Sequence, residues 1–212
     1  TPNFYGNLED AKAIDTIVHK NSKCLLIASV DPVSLAVLIP PSEYNADIAV
    51  GEGQALGNNM YMGGPLFGFF ATKLDMARLM PGRIVGGTID KAGEKAYVLT
   101  LQAREQHIRR AKATSNICSN ESLCTLAAVV YLCLLGKEGL IEVATQSVQK
   151  AHYAASELCK IPSLALAYPK ATFFKEFVIR TPKKAADIIN ALLPENIYAG
   201  IDLAPYGKPN EL

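Results

Sequence analysis

The sequence has no excess of charge of either sign, with 21 Lys and Arg against 20 Asp and Glu. That balance removes any electrostatic reason to expect nucleic acid or an anionic membrane as partner. It has no CxxC pair and no Cys/His cluster at zinc spacing, which argues against a structural metal site. Its five cysteines, Cys24, Cys118, Cys124, Cys133 and Cys159, are odd in number. They read as reduced, cytosolic thiols, most of them in apolar runs where cysteine acts as a small hydrophobe. A redox role for Cys118 or Cys124 is the alternative. No basic stretch followed by an apolar one opens the chain, as a secretory signal would. The longest apolar run, residues 123–135, is interrupted by Thr125 and falls short of the roughly 20 residues that cross a bilayer. The chain opens on Thr1 rather than methionine and reads as if cut from something longer.

What is present is a chain of 212 residues, half of them hydrophobic. That is enough to bury a core as one large domain or two small ones. Residues 8–20 place Leu8, Ala11, Ile14, Ile17 and Val18 at helical spacing, with Glu9 and Asp10 in the first turn. Residues 24–30 form a continuous apolar run ended by Asp31-Pro32, the pattern of a strand buried on both faces. Residues 46–50 predict a second strand, running into a glycine-rich stretch, and residues 69–71 a third. This order predicts an α/β layer with mostly parallel strands.

Residues 73–80 predict a short helix stopped by Pro81-Gly82, and residues 84–89 and 95–101 a hairpin around Lys91-Ala92-Gly93. Ser119 is placed to cap a long apolar helix closing at Gly136, followed by a helix over 140–158. The tail predicts strands at 164–167 and 173–181, a helix over 183–193 opened by Thr181-Pro182, and an apolar return at 197–201.

Three groups of residues could carry chemistry. Gly51-Glu52-Gly53-Gln54-Ala55-Leu56-Gly57 follows a strand like a dinucleotide fingerprint, but the residues after it, Asn58-Asn59-Met60-Tyr61, begin a loop where the fingerprint needs a helix. Asp31 ends a strand, where open α/β sheets place their sites. Pyridoxal-phosphate enzymes use such an aspartate to hold the pyridine nitrogen protonated; a turn-capping aspartate before Pro32 is the alternative. The stretch from Arg104 to Cys118 crowds His107, Arg109, Arg110, Lys112, Thr114 and Ser115 before a helix. Guanidinium groups and helix amides suit carboxylate and phosphate, although a solvated charged loop has the same composition.

Arg104-Glu105-Gln106-His107-Ile108-Arg109-Arg110 and Lys112-Ala113-Thr114-Ser115-Asn116-Ile117-Cys118 closely resemble the signature of the glycine cleavage P-proteins. Ala46-Asp47-Ile48, the Gly51 to Gly57 stretch, Gly63-Gly64-Pro65, Gly68-Phe69-Phe70-Ala71-Thr72 and Met80-Pro81-Gly82-Arg83-Ile84-Val85-Gly86 are similar to the family too, in its order. So are Pro2-Asn3-Phe4 and the segment around Asp31-Pro32. The resemblance implies an aspartate-aminotransferase-like α/β fold (pyridoxal-phosphate fold type I). Residues 1–118 would be the later part of its large domain, 119–139 a connecting helix and 140–212 a small α+β domain.

The implied reaction decarboxylates glycine with pyridoxal 5'-phosphate and passes the aminomethyl group to the lipoyl arm of H-protein. In the family's catalytic subunit, the strand corresponding to 46–50 leads to a His-Lys pair whose lysine bonds the coenzyme. Here Glu52-Gly53-Gln54-Ala55 stands there, and no lysine occurs between Lys23 and Lys73. A Schiff base needs a primary amine, so the resemblance implies a lysine-lacking subunit, with the coenzyme bound covalently by a lysine-bearing partner in an α2β2 assembly. Asp31 would then be a relic of the pyridine-nitrogen partner, or serve packing. By analogy with cysteine desulfurases, Thr114 and Ser115 would reach the coenzyme phosphate in the partner's site, with His107, Arg109 and Arg110 as the candidates for catalysis. The Gly51-Glu52-Gly53-Gln54 form resembles the two-chain bacterial P-protein, which implies the bacterial cytoplasm, with the amino half of a single-chain mitochondrial enzyme as the alternative. A non-catalytic structural subunit and a nicotinamide-dependent dehydrogenase are the rival readings.

Overall fold

The computed structural model describes residues 1–80, 82–113 and 121–212. In chain order the elements are α1 (Ala11–Val18), β1 (Ile27–Ser29), β2 (Ile48–Glu52), β3 (Gly68–Thr72), β4 (Ile84–Ile89), β5 (Lys95–Thr100), α2 (Gln106–Arg109), α3 (Ser122–Leu158), β6 (Ala165–Leu166), β7 (Ile179–Arg180) and α4 (Ala185–Leu192). They fall into two compact units. One holds Thr1–Ile17, Val30–Pro40 and Leu135–Leu212, the other Val18–Ser29 and Pro41–Leu134.

In the second unit β1 pairs parallel to β2, with Ile27 opposite Ile48, and β2 pairs antiparallel to β3, with Glu52 opposite Gly68. The neighbouring strands are as expected, while the third runs against the expected parallel order. Its antiparallel course follows from its connection, which returns directly along β2 without a crossover helix. Strand pairing in the 24–30 run is confined to Ile27–Ser29, and Leu25 and Ile27 are exposed. The apolar run therefore does not mark burial on both faces, since only Ala28 and Val30 within it are buried.

The predicted hairpin forms, β4 pairing β5 from Ile84 opposite Thr100 to Ile89 opposite Lys95. Asp90 closes its turn by accepting from the backbone N–H groups of Ala92 (2.8 Å) and Glu94 (2.9 Å), with Gly93 at φ +83°. Residues 74–79 form 3-10 turns rather than an α-helix.

The glycine-rich loop after β2 is a packing device. It meets the first part of α3, where Cys124 and Ala128 are buried with Phe67 and packed against Leu56. Gly57 has φ +87°, and a Cβ there would lie 2.6 Å from the Cβ of Tyr131; one at Gly53 would lie 2.2 Å from the Phe67 ring. Asn58 Nδ2 donates to the Cys124 carbonyl at 3.2 Å. The expected helix end at Gly136 forms: α3 consists of two helices separated by a non-helical backbone at Gly136 (φ 61°, ψ −171°), and the second takes in the expected helix over 140–158. By length and composition α3 could cross a membrane. The 14 residues before Gly136 extend only about 21 Å, short of the ~30 Å apolar layer. The expected cap, Ser119, lies outside the described residues.

In the first unit, the later part of α3 supplies two small cores. Val33, Ala144 and Phe174 form one, joined by Leu8 and Val148; Ala151, Ala155 and Phe173 form the other, joined by Leu166 and Phe177. Asp10 precedes α1 and accepts from the Ala13 N–H at 3.0 Å, so it caps the helix instead of lying in its first turn. β6 and β7 pair antiparallel with Leu166 opposite Ile179, and Leu212 exchanges both backbone hydrogen bonds with Ile179.

The tail strands are shorter than the apolar runs suggested, and 197–201 is irregular. The fourth helix starts at Ala185, not at the Thr181-Pro182 pair. The Thr181 hydroxyl donates to the Lys183 carbonyl at 2.6 Å instead of to a helix N–H. The residue before the helix, Lys184, is extended (φ −60°, ψ 138°) and makes no side-chain cap.

Gly57→Ala should lower stability by about 2 to 4 kcal/mol, from strain at positive φ and the Tyr131 overlap. Gly87→Ala, whose Cβ would meet open space, should change it by under about 0.5 kcal/mol. Urea midpoints of the two variants check the pair; equal midpoints would show that the loop does not lean on the helix.

Candidate functional site

Asp31 follows β1 and starts a 3-10 turn at Ser34–Ala36. Its Oδ1 accepts from the backbone N–H groups of Val33 (2.8 Å) and Ser34 (3.3 Å), and its Oδ2 pairs with the Lys175 ammonium. The Ser34 hydroxyl donates back to the Asp31 carbonyl at 2.7 Å. Both carboxylate oxygens are thus engaged in closing the turn and tying it to Lys175.

The loop after β2 offers no amine. Glu52 Oε1 accepts from the N–H groups of Gln54 (3.0 Å) and Phe67 (3.2 Å), which folds the carboxylate onto the loop's own backbone. The loop residues 52–57 therefore offer no group that could bond pyridoxal phosphate covalently. Asp31 is arranged as a turn and packing residue.

The basic stretch divides into a buried anchor and an exposed rim. Arg104 is buried, its guanidinium donating to the Met80 carbonyl and, at 2.5 Å, to the Gly82 carbonyl. Glu105 is buried beside it, with Arg83 Nε 3.8 Å from Oε2. Arg104 Nε and Glu105 Oε1 have no partner, a pair of orphaned buried polar atoms at the base of the stretch. His107 and Arg109 lie on the four-residue α2, with Arg110 next at φ +53°. All three side chains are exposed, so the candidate catalytic residues share one surface turn. Thr114 and Ser115 lie outside the described residues, as does Cys118. Of the other cysteines only Cys124 is buried; Cys24, Cys133 and Cys159 are exposed, so composition of the surrounding run overstated their burial.

The strongest polar cluster is one that sequence reasoning missed. Asp47 is buried just ahead of β2. Its Oδ1 takes Lys73 Nζ at 2.6 Å; its Oδ2 takes the Leu26 N–H at 2.8 Å and faces His19 Nε2 at 2.9 Å. The Asp47 carbonyl accepts from the Thr72 hydroxyl at 2.9 Å. The Lys73 hydrogen bond, then the Leu26 N–H, hold the carboxyl far below the usual carboxylate range, against the opposing effect of burial. A usable signal was present: an acidic residue inside Ala46-Asp47-Ile48, at a position otherwise read as apolar strand, needs a partner.

The family model for the glycine cleavage system P-protein matches residues 1–209. A relative from Chlorobium phaeobacteroides, named probable glycine dehydrogenase (decarboxylating) subunit 1, is 53% identical over 98% of this chain and 46% of its own length. A crystal structure of glycine decarboxylase (P-protein) of the glycine cleavage system, in inhibitor-bound form, is 44% identical with TM-score 0.92. It covers all of this chain and 48% of that one. A NifS-like protein from Rickettsia africae, 14% identical, shares the fold at TM-score 0.60, covering 98% of this chain and 52% of its own. The fold is the aspartate-aminotransferase-like type I fold, and the chain spans about half the length of the curated relatives it matches.

Because the folded-state pKa of Asp47 is depressed, its contribution is fully present above the ordinary carboxylate value of about 4 and is lost as pH falls below it. Lys73 is 43% exposed, so solvent screens its share. Asp47→Asn should cost about 2 kcal/mol at neutral pH, and the penalty should shrink at about pH 3, where the carboxyl of the unfolded wild type takes up a proton while the folded one stays ionised. Urea titrations at the two pH values check it; a penalty that grows on acidification would contradict the assignment.

Proposed function

The chain belongs to the glycine cleavage system P-protein family, and we propose that it is part of the lysine-lacking subunit of glycine decarboxylase. The enzyme removes the carboxyl group of glycine as carbon dioxide and transfers the remaining aminomethyl group to the lipoyl arm of H-protein. Pyridoxal phosphate supplies the electron sink for that reaction. In this reading the coenzyme is bonded by a lysine-bearing partner subunit, in an α2β2 assembly in the bacterial cytoplasm, and no nicotinamide is consumed.

One observation carries the proposal: the residues at the family's coenzyme position are committed to other bonds. Asp31 is held by Lys175 and two backbone N–H groups, and the loop from Glu52 to Gly57 contains no amine. The relatives' designation as subunit 1 supports the same division of labour. What remains to this chain is the basic stretch. His107, Arg109 and Arg110 present charge at the surface, and Thr114 and Ser115 follow in a pattern suited to a phosphate in the partner's site. A purely structural subunit is the second reading, favoured by the same absence of an amine. It would leave the basic stretch without effect on turnover.

Two outcomes test this. The chain incubated with pyridoxal phosphate and borohydride should show no stoichiometric adduct on any single lysine, and such an adduct would overturn the lysine-lacking assignment. In the assembled enzyme, Thr114→Ala should weaken coenzyme affinity by about 1 to 3 kcal/mol with little change in melting temperature. Equal coenzyme affinity in both proteins would end the cross-subunit phosphate role. Unchanged turnover in Thr114→Ala, Arg109→Ala and Arg110→Ala together would favour the structural reading.

A further inference from the structure

The first part of α3 is apolar on all sides, yet the unit that contains it covers only one. Residues 123–135 carry no charged side chain. The face bearing Cys124 and Ala128 is buried with Phe67 and Leu56. The opposite stripe, Leu123, Leu126, Val130 and Leu134, recurs at helical spacing and is 79%, 59%, 50% and 82% exposed. A helix that is hydrophobic all round is one meant for burial. Beside the stripe lies an open groove of about 620 Å³, walled by Gly57, Asn58 and Pro65 on one side and Leu126, Val130 and Leu134 on the other.

We infer that this stripe and groove are a docking surface for the part of the family's polypeptide that lies outside the matched half. The matched region is 46% of the Chlorobium phaeobacteroides relative and 48% of the glycine decarboxylase chain. More than half of the family's chain is therefore available to cover the face. The absence of charge along it is the character of a domain core cut in two rather than of a transient contact, whose surface would mix polar and charged groups. A bilayer is a poor occupant, because the apolar segment ends at the backbone break at Gly136 after 14 residues. The inference rests on family membership alone, not on where the coenzyme is bound.

The test co-expresses the tagged chain with a polypeptide comprising the residues of the Chlorobium phaeobacteroides relative that lie outside its match. Wild-type chain should recover that polypeptide in the soluble fraction as a one-to-one complex. Leu126→Asp and Val130→Asp, placed on an exposed face, should each lower the recovery at least tenfold and leave the melting curve of the chain alone unchanged. Equal recovery with wild type and variants, or no recovery with any of them, overturns the proposal. So does unfolding of the chain by both substitutions, which would make the face part of its own core. A dimer of the chain alone in sedimentation, converted to monomer by Leu126→Asp, would assign the face to a second copy. Retention by phosphatidylcholine vesicles that Leu126→Asp abolishes would assign it to a membrane. Either result also overturns it.

Discussion

The sheet unit depends on one buried carboxylate. Asp47 joins three separate pieces of chain: His19 at the end of the first helical region, the Leu26 N–H at the entry to β1, and Lys73 just past β3. A charge kept from water is tolerated only when its lone pairs are filled, so each contact is a condition on where those pieces can lie. Because Leu26 is followed by β1 and Asp47 by β2, the bond from the Leu26 N–H sets the parallel register that places Ile27 opposite Ile48. On the far side, the Thr72 hydroxyl and Lys73 ammonium fix the end of β3 against the same residue. Short strands have few ladder bonds of their own, and here a side chain supplies the alignment that strand length does not.

Two aspartates therefore invite comparison. Asp31 ends an apolar run and Asp47 opens one, and the sequence points to Asp31, since a strand's carboxyl end is where α/β sheets hold ligands. Nothing in local pattern separates an aspartate whose partner is 144 positions away, as Lys175 is, from one aimed at a ligand. For Asp47 the partners lie 21, 26 and 28 positions off, equally beyond any window of periodicity. Legibility stops where the bonding becomes non-local.

What was legible follows the same rule. The β4–β5 hairpin could be read because its turn is decided by Asp90 and Gly93 within the turn itself. Gly136 was correctly marked as an interruption because a glycine at positive φ is a local event. The tail strands are shorter than expected because the phenylalanines within 173–181 are apolar for a different reason. Phe173 and Phe174 bury into the helix cores, leaving only Ile179–Arg180 paired with β6. Within the candidate site, the exposure of His107, Arg109 and Arg110 agrees with either a phosphate-binding rim or a solvated loop. Only the burial of Arg104 and Glu105 beneath them shows that the stretch is anchored.

The glycine-rich loop connects these points to chemistry. A loop that must support a nucleophile needs room for a long side chain and a route for it to the ligand; this loop is built for closeness. Gly53 and Gly57 exist to admit Phe67 and Tyr131, Glu52 is folded onto the loop backbone, and Gln54 Nε2 donates to the Asn58 carbonyl at 2.5 Å. Replacing Gln54 by lysine would supply an amine but break that bond, and it would leave Asp31 still closed by Lys175. The loop's bonding and Asp31's ion pair are separate contacts, each spent on holding its own turn closed.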